Sequence, residues 1–318
     1  MIDKHGRNID YLRISVTDRC NLRCIYCMPK MKGYIQENNK ISCSDIFKLL
    51  RAAVSVGINK VRYTGGEPLL NEEISKIIYE TSKLPQINDI AITTNGILLP
   101  QMAKDLKKAG LKRVNISLDT LKSDTFTKIT NFNQITKVID GIDTCLKLNL
   151  KPVKINTVLI KGINDLEVND FVNLSREMPV EIRFIELMPI GEGAKIYEKG
   201  RVNIKELLMS RSDLIPIESL QNSTANMYKI KGGKGRIGYI TPISCKFCST
   251  CNKIRLTSMG TIKPCLHSNQ EIDLKPYLNN EDVLVEKLKT IIFNKTFQHH
   301  INEENISRSK KMMYQIGG

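Results

Sequence analysis

Apolar and polar positions along this chain follow a repeating order: a short β-branched run, a stretch of helical period, then another short run. Runs at 12–17, 60–64, 89–94, 113–118, 152–160 and 181–188 each predict a strand. After the first, Ile46, Leu49, Leu50, Ala53 and Val54 make one apolar stripe at i, i+3, i+4, i+7 and i+8, which predicts a helix with Ser44 as N-cap and Gly57 just past its end. Further helices are expected from about Asn71, with Glu72 and Glu73 in the first turn, and over 98–109, 166–177 and 283–293. Six strand–helix units imply a parallel sheet with right-handed crossovers. Eight units would close a barrel, so the expected fold class is α/β, a partial (β/α)6 TIM-type barrel, with its chemistry at the C-terminal strand ends. Near 191 the rhythm stops. Strands around a glycine-rich turn are expected over 232–241, and the chain divides into a barrel at 1–190 and a smaller C-terminal extension at 191–318 that ends in Gly317-Gly318.

Composition narrows the function classes. The 318 residues are 41% hydrophobic and include no tryptophan, so the core must rest on Ile, Leu and Val. No run reaches the roughly 18 apolar residues that a membrane helix needs. The polar N-terminus has no apolar stretch before a cleavage site, so the expected location is cytoplasmic, with no membrane. Forty-eight Lys and Arg against 33 Asp and Glu give a net charge of +15, which attracts polyanions. The lysines are spread along the chain and no aromatics are interleaved with arginine, which disfavours nucleic acid as the partner.

Of nine cysteines, seven fall in two groups, Cys20, Cys24, Cys27 and Cys245, Cys248, Cys251, Cys265, while Cys43 and Cys145 read as small buried hydrophobes. Clustered cysteines in a reducing compartment favour metal over disulfides. Three thiolates within eight residues can hold a [4Fe–4S] cluster and leave one iron open for a ligand. A structural zinc site would want four ligands, and His5 is the nearest histidine in sequence, remote from the group. Residues with special backbone or charge follow the other strands: Gly65-Gly66-Glu67-Pro68 the second, Asn95-Gly96 the third, Asp119 the fourth and Pro189 the sixth. In the second group all four cysteines could close one site, or three could hold a second open cluster.

The spacing Cys-x3-Cys-x2-Cys, with Tyr26 before the last cysteine, resembles the radical S-adenosylmethionine (SAM) signature, and Gly65-Gly66-Glu67-Pro68 resembles that superfamily's SAM-contacting loop. The resemblance extends over nearly the whole chain to the GTP 3′,8-cyclases of molybdenum cofactor biosynthesis. It is carried by the segment from Leu12 to Cys20, Thr93-Thr94-Asn95-Gly96, Asn115 to Asp119, Lys161 to Asp165, Glu181 to Glu186 and Gly317-Gly318. It implies two [4Fe–4S] clusters, on Cys20, Cys24, Cys27 and on Cys248, Cys251, Cys265, with Cys245 unassigned. It implies SAM contacts from Tyr26, Gly66, Glu67, Ser117 and Met188. GTP contacts would come from Arg13, Arg62, Thr93, Lys154, Lys253, Ile254 and Arg255, with Arg13, Lys253 and Arg255 serving the reaction directly, and the tail would enter the pocket. Family members usually carry arginine where this chain has Lys253, which keeps the charge and loses the bidentate fork.

The implied chemistry is SAM cleavage to a 5′-deoxyadenosyl radical, hydrogen abstraction at ribose C3′ and closure of a C3′–C8 bond. The implied partners are a flavodoxin- or ferredoxin-type electron donor, a downstream cyclic pyranopterin monophosphate synthase and a second copy in a homodimer. Two other readings are a radical SAM peptide-modifying maturase with an auxiliary cluster and a zinc-bearing nucleic-acid-binding module.

Overall fold

The computed structural model describes residues 1–29, 40–218, 224–299, 301, 307 and 309–317. Strands β1 (Tyr11–Ser15), β2 (Lys60–Thr64), β3 (Asp89–Thr94), β4 (Arg113–Ser117), β5 (Val153–Leu159) and β6 (Val180–Glu186) lie side by side in chain order, all parallel. Their crossovers are helical: α1 (Cys43–Ser55), α2 (Ile74–Ser82), α3 (Leu99–Lys108), the pair α4 (Ser123–Thr130) and α5 (Ile135–Lys147), and α6 (Val168–Glu177). This is the partial TIM-type barrel that the strand–helix rhythm predicts. Side chains alternate along each strand: Ile14, Val61, Tyr63, Ile92 and Ile116 are buried in the apolar core, which leaves the opposite face for polar groups.

Local chemistry moves some predicted boundaries. The N-cap of α1 is Ser42, not Ser44, because the Ser42 hydroxyl accepts from the Asp45 amide at 3.1 Å. Gly57 does follow the helix end, at φ +91°. Helix α2 begins at Ile74 rather than near Asn71, because Pro68–Leu70 forms a 3₁₀ turn and the Asn71 side chain accepts from the Glu73 amide at 2.9 Å.

Beyond 190 come α7 (Glu192–Gly200), α8 (Ile204–Met209), β7 (Leu214–Ile217), β8 (Asn226–Ile230), β9 (Arg236–Ile240), β10 (Lys253–Leu256), β11 (Thr261–Lys263), β12 (Ile272–Asp273), α9 (Glu281–Phe293) and α10 (Met313–Ile316). Of the strands expected over 232–241 only β9 lies there; its antiparallel partner β8 comes before the glycine-rich turn. Strand β9 runs parallel to β6 on one edge, and β10 runs parallel to β1 on the other. Antiparallel strands continue the sheet outward from both, giving the order β12-β11-β10-β1-β2-β3-β4-β5-β6-β9-β8-β7. Among the described residues, no helix is long and apolar enough to cross a membrane.

The direction of β10 sets up the site. Tyr11 stands opposite Lys253, and the Tyr11 amide donates to the Asn252 carbonyl at 3.2 Å, so Cys251 lies at the N-terminal end of β1. The Cys20 loop leaves its C-terminal end. Strand β1 has five residues from Tyr11 to Ser15, and a rise of about 3.3 Å per residue step puts roughly 13 Å of barrel between the two levels.

Candidate active site

The first cysteine loop is pinned from two sides. The Arg23 and Ile25 amides donate to the Thr130 and Ile129 carbonyls at 2.9 and 3.0 Å, and Asn95 Nδ2 donates to Asn21 Oδ1 at 2.7 Å. Burial pushes the Cys20 thiol up to about 11, with Glu67 adding to the rise. Burial also raises Cys24, further raised by Asp119, Cys27 and Cys20, and it raises Cys27, with Cys20 adding to it. Three thiols close enough to oppose one another's ionisation in a buried loop suit a polynuclear cationic centre, whose charge would turn them into thiolates. Among the described residues, no three His, Cys, Asp or Glu side chains are drawn together tightly enough for a single metal ion.

The Gly65–Pro68 loop lies directly on this backbone. The Gly66 and Glu67 amides donate to the Thr17 and Arg19 carbonyls at 2.8 and 2.7 Å. A Cβ on Gly66 would meet the Arg19 carbonyl oxygen at 2.3 Å, so only glycine fits there. Glu67 is buried and both its carboxylate oxygens accept hydrogen bonds: Oε1 accepts from the Leu69 amide and Thr94 Oγ1 at 3.0 and 2.7 Å, and Oε2 accepts from the Asn95 amide at 2.7 Å. Burial raises its pKa to about 7 against those donors. Glu67 therefore fastens the ends of β2 and β3 together.

Tyr26 donates to Asp119 Oδ2 at 2.7 Å, and Asp119 Oδ1 accepts from the Val158 amide at 2.8 Å. Burial raises Asp119 to about 6. Tyr26 and Met188 also share a small apolar cluster with Leu187 and Tyr197. Ser117, the last residue of β4, alternates onto the same inner face as Asn115.

Below this rim the inner face of the barrel is strongly basic. Arg255, Arg13 and Arg62 are direct cross-strand neighbours on β10, β1 and β2. Burial, with Arg255 and Arg62 beside it, pulls Arg13 well below the usual arginine range, and burial takes Arg255 down to about 10. Burial lowers Lys253 to about 8, against Cys251 and helped by Arg62 and Arg13, and lowers Lys154 to about 7, helped by Arg183. Arginine does not give up its proton in such places; the depression means that an anion among these groups would be strongly stabilised. Two carboxylates offset only part of the charge. Asp89 pairs with Arg113, whose Nε reaches Oδ1 at 2.8 Å, and Glu181 pairs with Arg183 and, at 3.5 Å, with Lys154. Among the described residues, Arg62 Nε, Thr93 Oγ1, Asn115 Oδ1 and Asn156 Oδ1 are buried with no hydrogen-bond partner. An enclosed row of cations with unsatisfied donors and acceptors fits a nucleotide triphosphate.

Of the residues expected at the substrate, Arg13, Arg62, Thr93, Lys154, Lys253 and Arg255 share this face. Ile254 is the exception, because alternation turns its side chain into the apolar layer with Leu12, Leu49 and Leu288. Any contact it makes on the inner face is through its backbone. Arg113, Arg183, Asn115 and Asn156 line the same face and were not anticipated. Their signal was the polar half of the alternation on β4, β5 and β6.

The second cysteine set lies at the other end of the barrel. Burial raises Cys248, and Cys265 and Cys251 add to it. Burial would also raise Cys251, but Lys295 and Lys253 outweigh it and its thiol is lowered. These three sulfurs interact with one another, whereas Cys245 is exposed and neighbours Tyr239 instead. A thiol triad with lysines at its back fits an anionic iron–sulfur centre. The C-terminal segment then returns to the basic face. Gly317, at φ +69°, packs on Thr64, and its carbonyl accepts from Arg255 Nη1 at 2.5 Å. Gly318 lies outside the described residues.

Comparison with known proteins agrees with this geometry. Residues 14–175 match the sequence model of the Radical SAM superfamily, and residues 180–301 match Molybdenum Cofactor Synthesis C. The chain resembles Streptococcus suis SuiB bound to precursor peptide SuiA (TM-score 0.56, 19% identity, 90% of this chain and 68% of that chain). It also resembles SuiB bound to S-adenosylmethionine (TM-score 0.56, 17% identity, 98% and 77%). At such identities the likeness shows the fold alone. Barrel, cysteine loop and matched superfamily together define a radical SAM protein. The chain is 56% identical to GTP 3′,8-cyclase of Clostridium botulinum strain Hall and 46% identical to that of Alkaliphilus oremlandii, each over the full length of both proteins. It belongs to the GTP 3′,8-cyclase family.

Proposed function

We propose that the chain converts GTP to 3′,8-cyclo-7,8-dihydroguanosine 5′-triphosphate, the first step of molybdenum cofactor biosynthesis. The observation that carries this reading is the Arg255–Arg13–Arg62 row, held inside the barrel between two cysteine triads. In this reading residues 1–190 form the radical SAM barrel and residues 191–318 carry the second cluster and the tail.

Cys20, Cys24 and Cys27 would hold one [4Fe–4S] cluster, and Cys248, Cys251 and Cys265 the other. Tyr26, Gly66, Ser117 and Met188 would line the SAM site, while Glu67 shapes its loop. When bound, the clusters and SAM supply one-electron chemistry that removes hydrogen from ribose C3′ and lets C3′ bond to C8.

The chain's own residues hold and orient. Arg13, Lys253 and Arg255 grip the triphosphate most directly, with Arg62 and Lys154 beyond them on the same face, and Thr93 offers its hydroxyl to the nucleotide. Fixing both ends of one substrate makes an intramolecular ring closure feasible. An electron donor of flavodoxin or ferredoxin type would supply the electrons, and the net charge of +15 favours a partner with an acidic surface. The product would pass to cyclic pyranopterin monophosphate synthase, and the working unit would be a homodimer in the cytoplasm.

The test uses anaerobically reconstituted protein with SAM, a reductant and GTP deuterated at C3′. Deuterium in the 5′-deoxyadenosine product supports the reading; unlabelled 5′-deoxyadenosine alone rejects GTP as the substrate attacked at C3′.

A further inference from the structure

Arg7 sits in the N-terminal segment, 241 residues before Cys248 in sequence, and is buried. Its guanidinium is saturated. Nε donates to Asp3 Oδ2 at 2.7 Å, and Nη2 lies 2.6 Å from the same carboxylate. Nη1 donates to the carbonyls of Cys248 and Phe297 at 2.9 and 2.8 Å, and Nη2 to those of Thr296 and Lys295 at 2.8 and 3.3 Å. One side chain thus ties the N-terminus, the Cys248 turn and the three residues 295–297 that follow α9.

The second half of the link runs through Lys295. Its side chain is buried, and its Nζ donates to the carbonyl of Pro264, the residue before Cys265. A continuous polar path therefore joins Cys248 to Arg7, Arg7 to Lys295, and Lys295 to Pro264 and Cys265. It connects two parts of the cysteine set that β10 and β11 separate in sequence. Every acceptor on the path is a backbone carbonyl, so the path fixes main-chain positions and leaves the sulfurs free for metal. The planar fork of arginine is needed, because four separate carbonyls and a carboxylate must be met in one fixed geometry.

We infer that Arg7 is a positioning residue for the second cluster: with Lys295 it holds the Cys248–Cys251 turn and Cys265 at cluster spacing before iron arrives. This rests on the reading of Cys248, Cys251 and Cys265 as cluster ligands. Arg7 touches neither substrate nor iron in this role. It acts on the backbone that carries the ligands, as outer partners do around metal sites generally.

The test is reconstitution of the full-length protein and of its Arg7→Lys and Arg7→Ala variants, read by iron and sulfide content, electron paramagnetic resonance and uncoupled SAM cleavage. The native chain should take up about eight irons, as two four-iron clusters require. If it takes up only about four, the two-cluster reading itself fails. Given eight in the native chain, both variants should fall to about four and lose one of two resonance signals, with SAM cleavage kept within about twofold. Arg7→Lys keeps the charge and loses the fork, so full iron in that variant overturns the inference. Loss of both clusters together would assign Arg7 to the fold as a whole and overturn it equally.

Discussion

Arg13 on β1 and Arg255 on β10 are cross-strand neighbours inside the barrel, and Arg62 extends the same row onto β2. Like charges opposed in a buried register cost stability, and the proposed triphosphate would account for the row. Arg13→Met should therefore act in opposite directions on two measurements. The KM for GTP should rise about 10–100-fold, the worth of one or two charge-assisted hydrogen bonds. The Tm of the nucleotide-free, iron-loaded protein should rise by a few degrees, on the order expected for roughly 1 kcal/mol of relieved repulsion. A Tm that falls instead would show that Arg13 is held by the fold for structural reasons.

Lys154 gives the site a pH dependence. Burial, with Arg183, brings its folded pKa down to about 7, below its ordinary value of 10.5. Between those values the unfolded chain binds more protons than the folded one, so this group makes the free protein more stable as pH rises through that window. If Lys154 binds GTP as proposed, it does so charged, so affinity should move the other way and weaken as pH climbs from about 6.5 to 8.5, by up to about tenfold per unit. Lys154→Arg, which stays charged throughout, should flatten the lower part of the profile of Kd against pH and leave the part near pH 8 that Lys253 sets. A profile unchanged in that variant would mean that another group titrates.

The first cysteine triad is legible because three thiols at short spacing leave few chemical options, and the six strands because β-branched runs have a strong period; the second triad follows only from the family resemblance, since its spacing leaves a four-cysteine site and a three-cysteine cluster both open. The second triad's place at the opposite end of the barrel was not legible. Lys253–Leu256 is a four-residue strand whose partner, β1, lies at the other end of the sequence, and no local signal encodes a parallel pairing over such a distance. Without that pairing, Lys253 and Arg255 are placed at the substrate only by the family resemblance. Ile254 is placed at the substrate by the same resemblance, although strand alternation turns its side chain away. Arg7 was invisible because its partners are backbone carbonyls, which any sequence provides.

Gly66 shows how tightly the SAM-type loop and the cysteine loop are joined. A methyl group there would press on the carbonyls of Arg19 and Asp18 at 2.3 and 2.7 Å. Both are backbone atoms in the turn leading to Cys20, so the turn must move. Gly66→Ala should lower stability by about 1–3 kcal/mol. It should also lower iron uptake by the first triad selectively, leaving the signal of the second cluster in place. Retention of normal SAM cleavage would mean that the loop yields without disturbing Cys20.

The C-terminal segment offers a cleaner separation of backbone strain from contact. Gly317 and Gly232 have nearly equal positive φ angles, +69° and +68°. A Cβ on Gly317 would meet Thr64 Cγ2 at 2.4 Å, while one on Gly232 would meet nothing within 4 Å. Alanine at either position carries the left-handed penalty of about 1–2 kcal/mol, but only at 317 does it also push the chain off Thr64 and away from Arg255. Gly317→Ala should release the tail to carboxypeptidase at least about tenfold faster and raise the KM for GTP. Gly232→Ala should lower Tm modestly and leave both readings unchanged. If the two variants behave alike toward carboxypeptidase and GTP, the bond from Arg255 to the Gly317 carbonyl plays no part in the site. If they differ, the tail is a fixed wall of the substrate chamber, and Arg255 holds that wall with one nitrogen while its remaining donors face the nucleotide.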